Sequence, residues 1–348
     1  VALVLPKGFS WWPTDQDEWK PEEVPRMYAA GYAGCCHDEE AKADLLNSVR
    51  WPRADDVCHS FRLTGAGEGR LSLIFPAILQ LYPGALPGPA QARGDCVSHD
   101  TKNAGLGSMC CEIVSGKPDE VSKKIEGAPK VSEEGIRNGV LSSEAVYWYR
   151  DHNGDGWSCG HAANVVRTES GLWLRQDYPE LGFDLTRYSG KLAGKWGKPN
   201  PPDEVTNRGR QHLIRTVTNV DSKESLRDLL ANGYAVSTCG GEGWSSSRDE
   251  NGFSKRQGGW SHALAILGID CRQEIVDLYG DWLVLIQNSW GKWNSGGRRI
   301  LGTTIDIPEG SFWARYRDCA RRDMYAFSSF DGWPAQKLPD WGSAVYLN

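Results

Sequence analysis

The clearest patterning of apolar and polar positions lies between residues 221 and 287. In DSKESLRDLLANGYAVST, Leu226, Leu229 and Leu230 share one face at helical spacing, and Gly233 follows the run. Asp221 and Glu224 stand in a capping-box pattern, so the stretch predicts a capped helix that stops at the glycine. Residues 234–238, 263–269 and 282–287 are apolar runs of strand length, with 270–280 as a turn or hairpin between the last two.

Upstream the pattern is helical. Leu106, Met109, Cys110 and Ile113 predict a helix over 97–115. Gly105 and Gly107 weaken it by about 1 kcal/mol each, which points to close packing against another backbone. LSSEAVYWYRD is a second helix with Ser142 as cap, and HAANVVRTESG a short third stopped by Gly171. Residues 1–90 show little periodicity beyond a helix over 39–49 and the apolar stretch SLIFPAILQLYPGALPGP. Helices first and strands later make an α+β arrangement. The expected organisation is an N-terminal extension (1–90) packed on the rest, a mostly helical part (91–220), a β-rich part (221–327) and a tail (328–348).

Composition narrows the function classes. The 348 residues suffice for one large domain or two medium ones, and 40% hydrophobic with 24% charged residues is ordinary for a globular chain. A net charge of −6 and no Lys/Arg stripe argue against nucleic-acid binding. No apolar run approaches the ~20 residues of a membrane span. VALVL is too short for a signal sequence and lacks a basic lead-in, so the expectation is a cytoplasmic chain or part of a virus particle. Sixteen tryptophans suit a large core, and those near the ends could meet protein partners. Ten cysteines in a long chain without an export signal read as free thiols as readily as five disulfides.

Three positions carry candidate chemistry. Cys96, in PAQARGDCVSHD, precedes a predicted helix, where the dipole favours the thiolate nucleophile. His262 opens the apolar run HALAILGID. Asn288 leaves the run WLVLIQ in NSWG, and an amide oxygen there could orient an imidazole while Trp290 shields the bond from water. Alone, Cys96 and His262 each read more readily as packed core residues.

Together, in the order Cys96, His262, Asn288-Ser-Trp-Gly, the chain resembles the papain-like cysteine peptidases as a divergent member. The resemblance spans roughly 91 to 327, and SLRDLLANGYAVST and SCGHAANVVRTESGLWLRQDYPE are similar to further family segments. It implies a two-lobe fold, a helical lobe carrying Cys96 and a β-barrel-like lobe carrying His262 and Asn288, with a polypeptide substrate between them and no cofactor. It also implies an oxyanion hole from Gln91 and the Cys96 backbone N–H. The chain departs from the family at Val97, which stands for a tryptophan, and at Asp95, whose charge would oppose the thiolate. Arg93 stands where the family has the cysteine that bridges to the position of Cys159, so that disulfide is expected to be absent, which favours a reducing environment. The first 90 residues lack the family's helical propeptide pattern.

Weaker signals point nowhere. DHNGDGWSC has a calcium-loop start from Asp151 to Asp155 but Ala162 where a carboxylate belongs, so it reads as an Asx-rich turn. The Cys and His residues at 35–37 and 58–59 match no zinc module, and TGAGEGRL lacks a phosphate-loop lysine. His161 reads as a surface residue. Two functions remain: a cysteine peptidase, or a papain-fold structural component of a large assembly such as a virus particle. A cell-wall peptidase or transglutaminase would take His or Asp where Asn288 stands.

Overall fold

The computed structural model describes residues 10–11, 19–35, 39–49, 51–115, 139–150, 154–197, 200–328 and 338–342. It is organised on one buried helix and one sheet. Short elements come first: β1 (Ser10–Trp11), α1 (Val24–Ala29), β2 (Tyr32–Ala33), α2 (Glu39–Val49) and α3 (Ala54–Ser60). Strand β3 (Leu71–Leu73) and helix α4 (Phe75–Leu81) then lead to α5 (Cys96–Val114).

α5 is buried along nearly its whole length, polar residues Asp100, Lys102 and Glu112 included. That explains its weak amphipathic signal, because a helix covered on all sides needs no polar face. Its glycines admit side chains, where the sequence suggested a backbone. A Cβ on Gly105 would lie 2.3 Å from Leu172 Cδ1, and one on Gly107 would lie 2.9 Å from Ile74 Cγ2 and 3.0 Å from Ala235 Cβ.

The helices Glu144–Tyr147 and Cys159–Thr168 pack on α5, followed by the small hairpin of β4 (Asp177–Tyr178) and β5 (Phe183–Asp184). Ser143, not Ser142, precedes the first of these; Ser142 Oγ instead donates to Glu144 Oε2 at 2.9 Å. The leucine-rich helix runs Lys223–Ala231 and is capped by Ser222, which accepts from Ser225 N–H, and not by Asp221. Gly233 follows at φ +87°, a conformation that favours glycine.

The main sheet has eight strands in the path β11–β9–β8–β7–β12–β6, with β3 on β8 and β10 on β7. These are β6 (Val217–Asn219), β7 (Val236–Arg248), β8 (Ser254–Asp270), β9 (Leu283–Gln287), β10 (Ser295–Gly296), β11 (Ser311–Arg315) and β12 (Asp323–Phe327). All neighbours are antiparallel except β10 on β7. The α+β class read from the sequence holds. β7 and β8 run well past the expected strands, because their outer halves carry too many polar residues to read as core strand. The stretch 270–280, expected as a turn, holds the helix Gln273–Tyr279.

Candidate active site

Sheet register explains why a core strand delivers an asparagine at its exit. Ile266 pairs with Ile286 and Ala265 with Gln287. One further step sets Leu264 opposite Asn288. His262, two residues along β8, then shares its face and lies on the diagonal from Asn288, within side-chain reach. His262 Nε2 and Asn288 Oδ1 are 2.8 Å apart, and Oδ1 also accepts from Ser289 N–H at 2.7 Å. An oxygen held by the backbone amide accepts from the ring, so Nε2 carries the hydrogen. Nδ1 is then the acceptor, and it is buried without a hydrogen-bond partner. Trp290 stacks on the imidazole, with ring centroids 4.7 Å apart and planes 23° apart.

Cys96 opens α5, and its sulfur receives the backbone N–H of Ala263, the residue after His262. The three predicted side chains therefore converge on one place. Cys96 and His262 are both fully buried, however. Burial pushes the Cys96 thiol up to about 12, with the nearby Asp95 and Asp100 charges adding to the rise and the hydrogen bonds from Tyr28 and Ala263 opposing it. Burial likewise holds the His262 imidazole down to about 3, helped by the positive charge of Arg322 and by His99 and opposed by the bond to Asn288. In this state both groups are neutral.

Gln91 reaches the same place. Its backbone N–H bonds Ser289 O at 2.7 Å, and its Oε1 accepts from Ser289 Oγ at 2.5 Å. Its Nε2 donates to Arg93 O at 2.7 Å and to the Tyr28 hydroxyl at 3.3 Å. Asp95 turns to Tyr188, which donates to its Oδ2 at 2.9 Å, and lies 3.5 Å from His99 Nε2.

Where the resemblance implied a disulfide from position 93, a buried ion pair joins the same two loops. Arg93 Nη2 lies 2.9 Å from Asp155 Oδ1, which also accepts from Tyr147 OH at 2.9 Å. Asp155 thus belongs to a structural turn; Asp151 and Asn153 of that stretch lie outside the described residues. The bridge from position 93 is absent, as expected, but Cys159 is not a free thiol. It bonds Cys239 on β7 across a Cα–Cα distance of 5.9 Å, which removes the support for a reducing environment. Cys239 pairs with Ala263, so the bridge ties the helical side to the sheet directly behind the site. The sequence hid it because the two cysteines are 80 positions apart.

Three contributing residues carried no signal in the sequence. Tyr28 donates its hydroxyl to the Cys96 sulfur and sets its ring 4.5 Å from that of His262. Buried Arg322 donates to the His262 carbonyl from behind. Ser261, next to His262, holds φ at +43°, a left-handed conformation that costs roughly 1–3 kcal/mol in a non-glycine residue, and its carbonyl accepts from the amides of Gly34 and Cys35 at 3.2 and 3.0 Å.

Among the described residues no cluster of His, Cys, Asp and Glu could hold a metal ion, Cys36 and His37 lying outside them, and no helix is long and apolar enough to cross a membrane. The TGAGEGRL loop turns its Gly65 and Gly67 amides onto Asp228 at 2.8 and 3.1 Å. His161 is half-buried, its Nδ1 3.1 Å from Ser158 Oγ.

No protein-family model and no curated protein matches the chain. Among solved structures it is similar to xylellain, a cysteine protease from Xylella fastidiosa, with 15% identity and a TM-score of 0.42 over 75% of this chain and 91% of that one. It is similar to proCathepsin B S9 from Trypanosoma congolense, with 12% identity and a TM-score of 0.38 over 73% of this chain and 74% of the other. Digestive procathepsin L 3 of Tenebrio molitor larval midgut is a third, at 12% identity and a TM-score of 0.35 over 67% of this chain and 63% of that one.

Proposed function

We propose that the chain is a cysteine-type peptidase that hydrolyses peptide bonds through Cys96, His262 and Asn288. The observation that carries this reading is the 2.8 Å bond from His262 to Asn288, which leaves Nδ1 as an unpartnered acceptor, while the next residue along, Ala263, donates to the sulfur of Cys96 at the head of a buried helix. The NSWG stretch and the Cys–His–Asn order support it.

In this mechanism His262 Nδ1 takes the Cys96 proton as the sulfur attacks the scissile carbonyl carbon. The oxyanion is held by the Cys96 backbone N–H and by Gln91 Nε2. The imidazolium, oriented by Asn288 under the cover of Trp290, gives its proton to the departing amine, leaving a thioester. Water then attacks the thioester, His262 accepts its proton, and the acid product leaves with the thiol restored. Cys96→Ala should abolish cleavage of an unstructured protein such as casein while the fold persists by circular dichroism. Undiminished cleavage by that variant would sink the reading.

A second reading is a papain-fold component of a large assembly, with weak or no proteolysis. It is favoured by the complete burial of Cys96 and the neutral state of its thiol. If Cys96→Ala alters neither cleavage nor assembly, this second reading stands in place of the first.

A further inference from the structure

In a chain of net charge −6, positive charge gathers on the outer half of the β7–β8 hairpin. A groove of about 500 Å³, open to solvent, is lined there by Arg248, Lys255 and Arg256, together with Ser245, Ser247 and Phe253. Lys255 and Arg256 are exposed and form no ion pair among the described residues. Arg248 is half-buried. It spends Nη1 on Ser311 O at 2.8 Å and Nη2 on Gly296 O at 3.4 Å, while its Nε has no acceptor. Both acceptors are neutral carbonyls, so they leave its charge uncompensated. Burial and the nearby Arg298 charge hold its guanidinium below the ordinary value, with Glu309 opposing.

The carboxylates close by are engaged elsewhere. Asp249, on the groove's wall, is used within its own turn: Oδ1 accepts from the amides of Asn251 and Phe253 at 2.9 Å each, and Oδ2 from Tyr279 OH at 2.9 Å. Glu309 is held by Lys292 at 2.5 Å and Asp306 by Arg299 at 2.6 Å. Glu250 is exposed in the turn and does not line the groove. A concave surface with an excess of one charge draws the opposite charge from solution.

The backbone decides which kind of anion fits. β9 pairs with β8 only from Ala265 to Asp270, so residues 254–260 have β7 on one side and no paired strand on the other among the described residues. A Cβ on Gly258 would meet nothing within 4 Å, so the space beside this stretch is open. Such an edge takes up an extended chain through its backbone N–H and C=O groups. Gln257 borders the basic groove and also a second one of about 500 Å³, walled by Trp244, Trp260 and Trp293. An extended polypeptide would meet charge, hydroxyls, strand edge and aromatic wall in turn. A free phosphate would use only the first two, and a polysaccharide has no peptide backbone to pair.

We propose that the outer β7–β8 hairpin is a docking groove for an extended acidic polypeptide segment of a partner protein, gripped by Arg248, Lys255 and Arg256. It uses none of Cys96, His262 and Asn288 and holds under either reading of that site.

The probe is a labelled peptide alternating glutamate and threonine, with its glutamine counterpart, followed by fluorescence anisotropy. The full-length Cys96→Ala chain is used beside the unmodified one, so that cleavage does not intervene, and the two should bind alike. The glutamate peptide should bind about tenfold tighter than the glutamine peptide, and the difference should shrink with added salt. Lys255→Glu with Arg256→Glu, both exposed side chains, should abolish or reverse the preference with the circular dichroism unchanged. The neutral pair Lys255→Gln with Arg256→Gln should lose most of it, which decides the matter if charge reversal disturbs the fold. Equal affinity for the two peptides, or a preference that survives both double variants, would overturn the docking groove. Binding of neither peptide would do so too, and would leave these charges as shields of the strand edge. Heparin binding more tightly than the glutamate peptide, and lost in the same variants, would assign the groove to a sulfated polysaccharide and overturn the polypeptide partner.

Discussion

Arg322 offers a quantitative test of how the sheet holds the candidate base. Its guanidinium, on a fully buried side chain, donates to the carbonyl of His262, to Thr238 O and Oγ1 at 3.3 Å each, and to Glu242 O at 3.3 Å, with Glu242 Oε2 at 3.4 Å. Gly240 makes room for it, since a Cβ there would lie 2.5 Å from Arg322 Cγ, and Gly240 is the register partner of His262. Arg322→Gln removes the charge and most of the donors that serve three carbonyls and a largely buried carboxylate. Breaking a buried pair from one side costs about 3–5 kcal/mol. With a urea slope near ~3 kcal/mol/M, the midpoint should fall by roughly 1–1.7 M. Arg322→Lys should recover less than half of that, because an ammonium cannot span the forked set of acceptors. In parallel the His262 imidazole, freed of one repelling charge, should bind its proton more readily by NMR titration. A loss below about 1 kcal/mol, or an unmoved His262, would show that Arg322 is peripheral to the site.

His262 also predicts a pH dependence. Its folded value, near 3, lies below the ordinary histidine value, so the unfolded chain binds the extra proton first. Stability from this group is therefore present above about pH 6.5 and lost as pH falls toward 3, at about 1.4 kcal/mol per pH unit. Urea midpoints between pH 4 and 7 should show the slope, and His262→Gln should flatten it. The Cys96 thiol acts at the other end: raised in the fold, its contribution is present below about pH 8.5 and is lost as pH rises toward 12. Cys159→Ser should lower the unfolding free energy by about 2–4 kcal/mol, given the long loop that the bridge closes, and equal thermal midpoints with and without reductant would contradict the bridge. Gly107→Val on α5 should destabilise by about 1–3 kcal/mol, because its Cβ would meet Ile74 and Ala235 between packed elements. An unchanged melting temperature would mean that the helix shifts freely.

Local pattern carried much of this protein. Helices at 39–49, 96–114 and 223–231 and the cores of β7, β8 and β9 were legible because short-range spacing of apolar residues reports which side of an element is buried. Cys96, His262 and Asn288 could be singled out because Cys96 precedes a helical pattern, His262 opens an apolar run and Asn288 ends one, although His262 proves to lie in the middle of β8. The ends themselves were less legible: caps fell one residue away from Asp221 and Ser142, since several neighbouring polar residues can bond the same amides. The turn expected at 270–280 became a helix, as seven residues are too few for periodicity to speak.

What only the tertiary structure decided are contacts between positions far apart in the chain. Cys159 found Cys239, Arg93 found Asp155, Arg322 found His262, and Tyr28 came to rest on Cys96. None of these partners is encoded by a local motif. Each pairing exists because the sheet register and the close approach at Gly34 and Gly240 bring two distant backbones within side-chain reach. The sequence by itself determined which groups could do chemistry. The packing of residues 24–35 decided that those groups meet under cover, uncharged, because excluding water from a thiol and an imidazole stabilises the neutral form of both.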